Sequence, residues 1–226
     1  MADLLQEYNV FLAFWMTIKL TFFGAIGSLI LGTVIAVFRV SPVGFLQKVG
    51  LAYVTLIRNT PLTLIVFFCA FGLVNNLQLS LVDPNSPTSL ADNNFRFGVI
   101  ALSVYHASFV AEAIRCGINT VPQGQAEAAR AIGLGFGSTL REIILPQAFR
   151  GAIAPLGNVL IALTKNTTVL ATIGIAEASL MMKNMIEFDI SHLYEIFAIM
   201  AIGFVILTLP VGIAFTSLSR RLAVKR

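Results

Sequence analysis

Five apolar segments, each long enough to cross a lipid bilayer as a helix, constrain the fold of this chain more than any other feature of its sequence. A hydrocarbon core about 30 Å thick takes roughly 20 helical residues to cross. The segments run from Phe11 to Phe38, Leu51 to Val74, Phe97 to Ile114, Ala152 to Ile173 and Ile196 to Leu218. An isolated strand in lipid would leave its backbone amides without partners, so each segment is predicted to be helical. The sequence therefore predicts an all-α integral membrane protein.

The charged residues between these segments predict the orientation of the chain. Only 12% of the 226 residues are charged and 57% are hydrophobic, which is unlike a soluble domain, and the net charge is +4. Most basic residues fall in alternate connections, namely Arg39, Lys48, Arg115, Arg130, Arg141, Arg150, Arg220, Arg221, Lys225 and Arg226. Acidic residues dominate the other connections, namely Asp3, Glu7, Asp83, Asp92, Glu177, Glu187, Asp189 and Glu195. The positive-inside rule then predicts an outer N-terminus and a cytoplasmic C-terminus, which five spans satisfy.

Residues 176–195 are the least regular part of the chain. Their apolar residues have helical spacing but are interrupted by Lys183, Asn184 and Glu187. This pattern favours an interfacial or re-entrant helix on the outer side over a sixth span. No repeat or linker divides the chain, so residues 1–226 are predicted to form one transmembrane domain.

The connection at about residues 120–147, between the third and fourth segments, predicts two short helices. Pro122 is a favoured first helical residue, and the alanine-rich run after it ends at Gly133, which suits the position just past a helix end. Ser138 is then expected to cap a second helix. The charge pattern places this helical pair in the cytoplasm.

Local chemistry alone leaves this cytoplasmic pair open to other interpretations. A DNA-binding helix-turn-helix would need a soluble basic domain, whereas this unit is tethered between two membrane spans. A nucleotide-binding loop would follow a strand and contain Gly-Lys-Ser/Thr, and this sequence has neither feature here. A passive connector between spans remains compatible with the pattern.

The order of residues in the connection resembles the EAA loop of binding-protein-dependent ABC importer permeases. Glu127, Ala128 and Ala129 are followed after three residues by Gly133, then after nine by Ile143, and after one more by Leu145 and Pro146. The resemblance implies a coupling helix that docks in a groove on a separate ATPase subunit, with Glu127 or Arg130 orienting it by charge-assisted contacts. The sequence contains no P-loop. We therefore expect that the chain is not an enzyme and binds no cofactor, and that ATP and Mg are bound by partner subunits.

Lys165 is the sharpest candidate within the membrane. It lies about a dozen residues into the fourth segment, where a charge costs roughly 2.5–3.5 kcal/mol and a lysine cannot easily reach either surface. It either pairs with Glu112 of the third segment or lines a translocation path, and we favour the path. Asn166, Thr167 and Thr168 extend this candidate site.

A second polar sequence interrupts the second segment. Pro61 removes a backbone donor and discourages helix at Thr60, so a kinked span is expected. Arg58, Asn59 and Thr60 then either line a water-filled cavity or hold the helix near the cytoplasmic interface, and the sequence leaves both open.

The third segment carries a polar stripe with a structural interpretation. Glu112 and Arg115 are spaced for a pair within one helix. His106 and His192 are isolated from any acid or cysteine cluster, so the sequence predicts neither a metal site nor catalytic residues.

Beyond the loop, the chain resembles the polar-amino-acid branch of these permeases, and among them the glutamate-uptake permeases of actinobacteria. The residues that carry the likeness are Arg58 to Leu62, Tyr105 to Arg115 and Ala162 to Thr167. The resemblance implies a type I importer of the bacterial cell membrane, with two ATP-binding subunits, a second and different permease, and an extracellular solute-binding protein. The implied substrate is glutamate or aspartate. There are two alternatives: the substrate is another polar amino acid, or the chain is a scaffold and the companion permease alone contacts the solute. No nucleic acid partner is expected.

Overall fold

The computed structural model describes residues 8–83 and 85–222, and every regular element in those ranges is helical. The helices are α1 (Val10–Val40), α2 (Gly44–Asn59), α3 (Leu62–Phe67), α4 (Ser89–Ile118), α5 (Gln123–Ala131), α6 (Leu145–Asn166), α7 (Ala178–Phe188) and α8 (Leu193–Leu222). Four helical runs are long and apolar enough to cross a membrane, and a fifth span results if the bent pair of α2 and α3 counts as one. The all-α fold is confirmed. Four charges used to predict orientation lie outside the described residues, namely Asp3, Glu7, Lys225 and Arg226.

The second span differs from its prediction because it is broken rather than kinked. In place of one helix from Leu51 to Val74, α2 and the run Leu62–Val74 meet at an angle of 104°. Thr60 has extended backbone angles and Pro61 occupies the cap position of α3. The proline ring excludes the helical conformation at the residue before it and supplies no N–H, so the helix must stop there. Helix α3 continues into a π-helical segment, Phe68–Asn76.

The fourth span also differs, because the second helix of the cytoplasmic connection is not a separate element. A helical turn (Phe136–Ser138) and a π-helical segment (Thr139–Ile144) lead without a break into α6, which ends in a 3-10 segment (Thr167–Ile173). The expected capping role of Ser138 is wrong. The run begins one turn earlier, with Gly135 in the cap position, so the backbone N–H groups near Ser138 already have helical partners.

Helix α4 is the centre of the bundle and packs against both α1 and α6. Small residues allow these close approaches. A Cβ atom on Gly32 of α1 would lie 2.6 Å from the Val110 Cβ of α4, and one on Gly117 of α4 would lie 2.1 Å from the Ala148 carbonyl oxygen of α6. Such contacts fix how each of the three helices is rotated about its axis and where it lies along that axis, because a larger side chain would separate the backbones.

Residues 176–195 contain a short helix, as predicted, rather than a sixth span. Helix α7 has 11 residues, about 16 Å at 1.5 Å per residue, which is too short to cross a bilayer. It packs against α1 and α8 through a cluster that contains Val10, Met185 and Ile196. Glu177, counted above among the outer charges, is fully buried at its N-terminus.

Candidate functional site

The coupling helix expected from the sequence is α5, and it ends in a complete glycine cap. Gly133 has φ +84°, and its N–H donates to the Arg130 carbonyl oxygen at 3.0 Å. The next N–H, of Leu134, donates to the Ala129 carbonyl oxygen, also at 3.0 Å. These two bonds form a Schellman motif, in which a positive φ favours glycine. The predicted end of the helix at Gly133 is confirmed.

Helix α5 presents one charged face to the surroundings. Glu127, Ala128 and Arg130 are exposed, whereas Ala129 is 1% exposed. The helix packs against the π-helical segment, and Ala129 is its one buried residue. Ala129 thus packs α5 against the body of the protein, and the side chains of Glu127 and Arg130 are exposed.

The π-helical segment supports α5 and leads to the proline of the loop. The N–H of Leu145 bonds to the Leu140 carbonyl oxygen, five residues back, which widens the helix directly before Pro146. Such widening relieves the clash that a proline ring makes with the preceding turn. Ile143 and Leu145 are half-buried and Pro146 is exposed. A cavity of about 850 Å³ lies between α5, this segment and the turn after α1.

Glu112 of α4 is the centre of a charged cluster formed by Arg39, Arg58, Glu112 and Arg115. Arg39 Nη1 donates to Glu112 Oε1, and Arg115 Nε donates to Oε2 at 3.3 Å. The predicted pair of Glu112 with Arg115 is therefore confirmed. The alternative pairing of Glu112 with Lys165 is wrong, because both carboxylate oxygens bind arginines.

Arg58 is the loosest member of this cluster and faces a pocket. Its Nη1 lies 4.0 Å from Glu112 Oε1, and its guanidinium lies over the Phe109 ring, 5.4 Å from the centroid. The side chain is 45% exposed and borders a pocket of about 380 Å³ that also includes Asn59. The Asn59 side chain donates to the Thr55 carbonyl oxygen, and the Thr60 hydroxyl donates to the Leu56 carbonyl oxygen. These bonds give hydrogen-bond partners to backbone carbonyls in the last turn of α2.

Lys165 lies on an exposed face of α6 that is made of small and polar residues. Its members recur every three or four positions and are Gly151, Ala154, Asn158, Ala162 and Lys165. We call this set the polar face. Among the described residues, no acidic side chain forms an ion pair with Lys165.

The exposed residues of α8 have the opposite character. Phe197, Ile202, Val205 and Ile206 are each more than half exposed. Large apolar side chains are what a helix presents to lipid, whereas Gly and Ala with scattered polar groups are typical of helix interfaces and polar cavities in membranes. The polar face therefore has the composition of a surface that does not contact lipid.

The residues after Lys165 point in different directions. Thr167 is fully buried, and its hydroxyl donates to the Thr164 carbonyl oxygen at 2.8 Å. The Thr168 hydroxyl donates to the Lys165 carbonyl oxygen at 2.8 Å. Asn166 reaches across to α4, where its Nδ2 lies 3.1 Å from His106 Nε2. Thr167 thus lies inside the chain and not on the polar face, which differs from the expectation that it lines a path.

Three participants were missed by reasoning from the sequence. Arg39 was counted only as a cytoplasmic charge, His106 was taken as isolated, and Asn158 was not singled out. The spacing of Asn158 from Lys165, seven residues or two helical turns, is a signal that could have found it. The contacts of Arg39 with Glu112 and of His106 with Asn166 join residues 73 and 60 positions apart, and no local pattern announces them.

Comparisons with known proteins agree with this architecture. The model of the family described as "Binding-protein-dependent transport system inner membrane component" matches residues 13–224. The glutamate transport system permease protein GluC of Corynebacterium glutamicum is 58% identical over 95% of this chain and 94% of its own length. A probable glutamine ABC transporter permease protein, GlnM of Bacillus subtilis, is 35% identical over 97% and 96%. A crystal structure of an amino acid ABC transporter with histidines superposes with a TM-score of 0.77 at 29% identity, covering 94% and 93% of the two chains.

The family match covers nearly the whole chain, and the two relatives align with 95% and 97% of it. The chain therefore belongs to the family of binding-protein-dependent inner membrane transport components, as a multi-pass cell membrane permease subunit of an ABC importer whose ATPase is a separate subunit.

Proposed function

We propose that this permease imports an acidic amino acid, glutamate or aspartate, and that the polar face of α6 with Lys165 and Asn166 lines its half of the path. The observation that carries the proposal is the exposure of Lys165 on a helix face without large apolar side chains. A lysine ammonium within a membrane span needs water or a counter-charge. None of the described acidic side chains forms an ion pair with Lys165, so we infer that water or a carboxylate of another molecule meets this need.

The substrate class is supported by chemistry and by the relatives. A carboxylate is a natural partner for Lys165, and the relative that is 58% identical is named for glutamate. Another relative, 35% identical, is named for glutamine, which has the same zwitterionic group but a neutral side chain. Arg58 is a second exposed cation of the candidate site: it borders its own pocket, and its nearest contact with Glu112 is 4.0 Å.

Family membership implies ATPase subunits, an extracellular binding protein and a second permease as partners. We propose a heterodimer of two different permeases, with two ATPase subunits that bind ATP and Mg. Charge supports this pairing, since two identical polar faces would bring two copies of Lys165 together across the path. Helix α5 docks into the ATPase through Glu127, Ala128 and Arg130, and Gly133, Ile143, Leu145 and Pro146 shape its support. A rigid helix held this way passes the motion of the ATPase to the spans.

The test is Lys165→Met in the complete complex, reconstituted in vesicles with labelled glutamate and the binding protein. Loss of a charge-assisted contact of about 2–3 kcal/mol predicts a fall in uptake of about 30- to 150-fold. Lys183→Met, an exposed lysine of α7, is the matched control and should transport at the unmodified rate. Normal uptake by Lys165→Met, with assembly intact in both variants, would remove the path-lining role and favour a scaffold whose companion alone contacts the solute.

A further inference from the structure

The imidazole of His106 is held in one hydrogen-bonding state. It is 1% exposed within α4, and its Nδ1 lies 3.0 Å from the Leu102 carbonyl oxygen. A carbonyl oxygen accepts only, so Nδ1 must carry the proton of this bond.

The other ring nitrogen is therefore an acceptor. A second proton on Nε2 would place a positive charge in a buried site, and among the described residues no acidic side chain pairs with His106. An unpaired buried charge is costly, so the ring is neutral and Nε2 has a free lone pair.

This state fixes the amide of Asn166. Only its Nδ2 can donate to Nε2, at the observed 3.1 Å, so Oδ1 points away from His106. Within the described ranges no group donates to Oδ1. Oδ1 is also not fully enclosed. Among the described residues, the fully buried side-chain oxygen or nitrogen without a hydrogen-bond partner is Thr21 Oγ1, so the unpartnered Asn166 Oδ1 is not fully buried. The Asn166 carbonyl oxygen is therefore not fully enclosed and has no partner among the described residues, and Asn166 directly follows Lys165 in the chain.

We propose that His106 is a positioning residue, which locks the Asn166 amide so that its carbonyl oxygen accepts the ammonium group of the transported amino acid while Lys165 binds a carboxylate. An ammonium group donates and never accepts, so it matches a free carbonyl oxygen, and a carboxylate matches a lysine. Without His106 the amide could rotate and present its NH₂ group, which would repel the ammonium. The inference rests on the proposed path-lining role of Lys165 and Asn166.

The experiment compares His106→Gln with His106→Asn in the reconstituted complex. The glutamine oxygen lies about as far from the backbone as Nε2 and can accept from Asn166, whereas the asparagine side chain is shorter and ends near the position of Nδ1. We expect His106→Gln to keep kcat for glutamate uptake within about threefold and His106→Asn to lower it about tenfold, the range of one lost hydrogen bond to an ionic group. KM for the loaded binding protein should not change, because it reports docking at the outer surface.

A double-variant cycle separates positioning from simple structural support. Asn166→Ala should lower kcat about tenfold, and adding His106→Asn should lower it by no more than a further factor of about two, because the two residues act through one contact. Equal rates for His106→Gln and His106→Asn, or fully additive losses in the cycle, would overturn the role of His106. Normal uptake by Lys165→Met would instead remove the proposed function itself, so the two failures are distinguishable.

Discussion

Glu112 of α4 binds Arg39 of α1 across the interface of the two helices, although 73 residues separate them in sequence. The Arg39 side chain is 10% exposed and that of Glu112 is 22% exposed, so the pair is shielded from solvent. Arg115 holds the second carboxylate oxygen from one turn further along α4. The Glu112 carboxylate thus balances the charge of arginines on both α1 and α4. The packing of these two helices therefore depends on a shielded ion pair.

Glu112→Gln should destabilise the protein, because it leaves Arg39 buried without a counter-charge. Breaking such a pair costs about 3–5 kcal/mol. Thermal unfolding in detergent should show a lower Tm. The double variant Arg39→Met with Glu112→Gln should recover much of the loss. Arg115→Met is the matched control, since its side chain is 43% exposed and the pair is expected to contribute at most about 1 kcal/mol. Equal losses for Arg39→Met and Arg115→Met would contradict the unequal roles of the two arginines.

Glu127→Lys should release or uncouple the ATPase while leaving the permease folded. Glu127 is exposed on α5, so reversing its charge removes a contact to the partner and not one within the chain. Co-purification with the ATPase and the number of substrate molecules moved per ATP are the measurements. Glu187→Lys, an exposed acid of α7, is the control and should retain both. A Glu127→Lys variant that binds the ATPase and transports normally would defeat the docking role of this face.

Gly133→Ala should loosen the end of α5, because φ +84° strains any residue with a Cβ by about 1–2 kcal/mol. Hydrogen exchange of the α5 amides should accelerate, and ATPase binding should weaken. Gly124 lies in the same helix without a positive φ and with open space around it. Gly124→Ala should therefore stabilise the helix by about 0.5–1 kcal/mol and slow its hydrogen exchange slightly. A faster exchange in Gly124→Ala than in Gly133→Ala would contradict the cap.

Glu177 should make stability depend on pH near neutrality. Burial raises the pKa of this carboxyl from 4.5 to about 7, against the opposing effect of hydrogen bonds from the Ser179 and Leu180 N–H groups. The folded state therefore binds the proton more tightly than the unfolded state. Its contribution to stability is fully present below about pH 4.5 and is lost as the pH rises through about 7.

Glu177→Gln should remove this dependence. The amide has no charge to bury, so the stability of the variant relative to the unmodified protein should be higher at pH 8 than at pH 5. The change in relative free energy of unfolding should be up to about 3 kcal/mol, and the Tm difference should change in the same direction. Parallel thermal scans at the two pH values measure it. A difference in Tm that stays constant between pH 5 and pH 8 would show that Glu177 does not titrate in this range.

The long apolar helices and the end of α5 at Gly133 could be predicted from local sequence. Lipid offers backbone groups no hydrogen-bonding partners, so long apolar segments have helix as their only option. Gly133 likewise ends α5 through its own backbone freedom, and Pro61 ends α2 through its ring. The size of the break at Pro61 could not be predicted, because the 104° angle depends on how α3 packs against α4 and on the 3-10 segment after α6.

The sequence by itself determined which segments form long apolar helices and where α5 ends, since both follow from composition and spacing along the chain. Only the tertiary structure decided that Glu112 pairs with Arg39 and not with Lys165, that Glu177 is buried, and that Asn166 meets His106. Those contacts depend on how neighbouring helices are rotated about their axes and where they lie along them. Glycine and alanine contacts such as Gly32 with Val110 set that arrangement, and they join residues that lie far apart in the sequence.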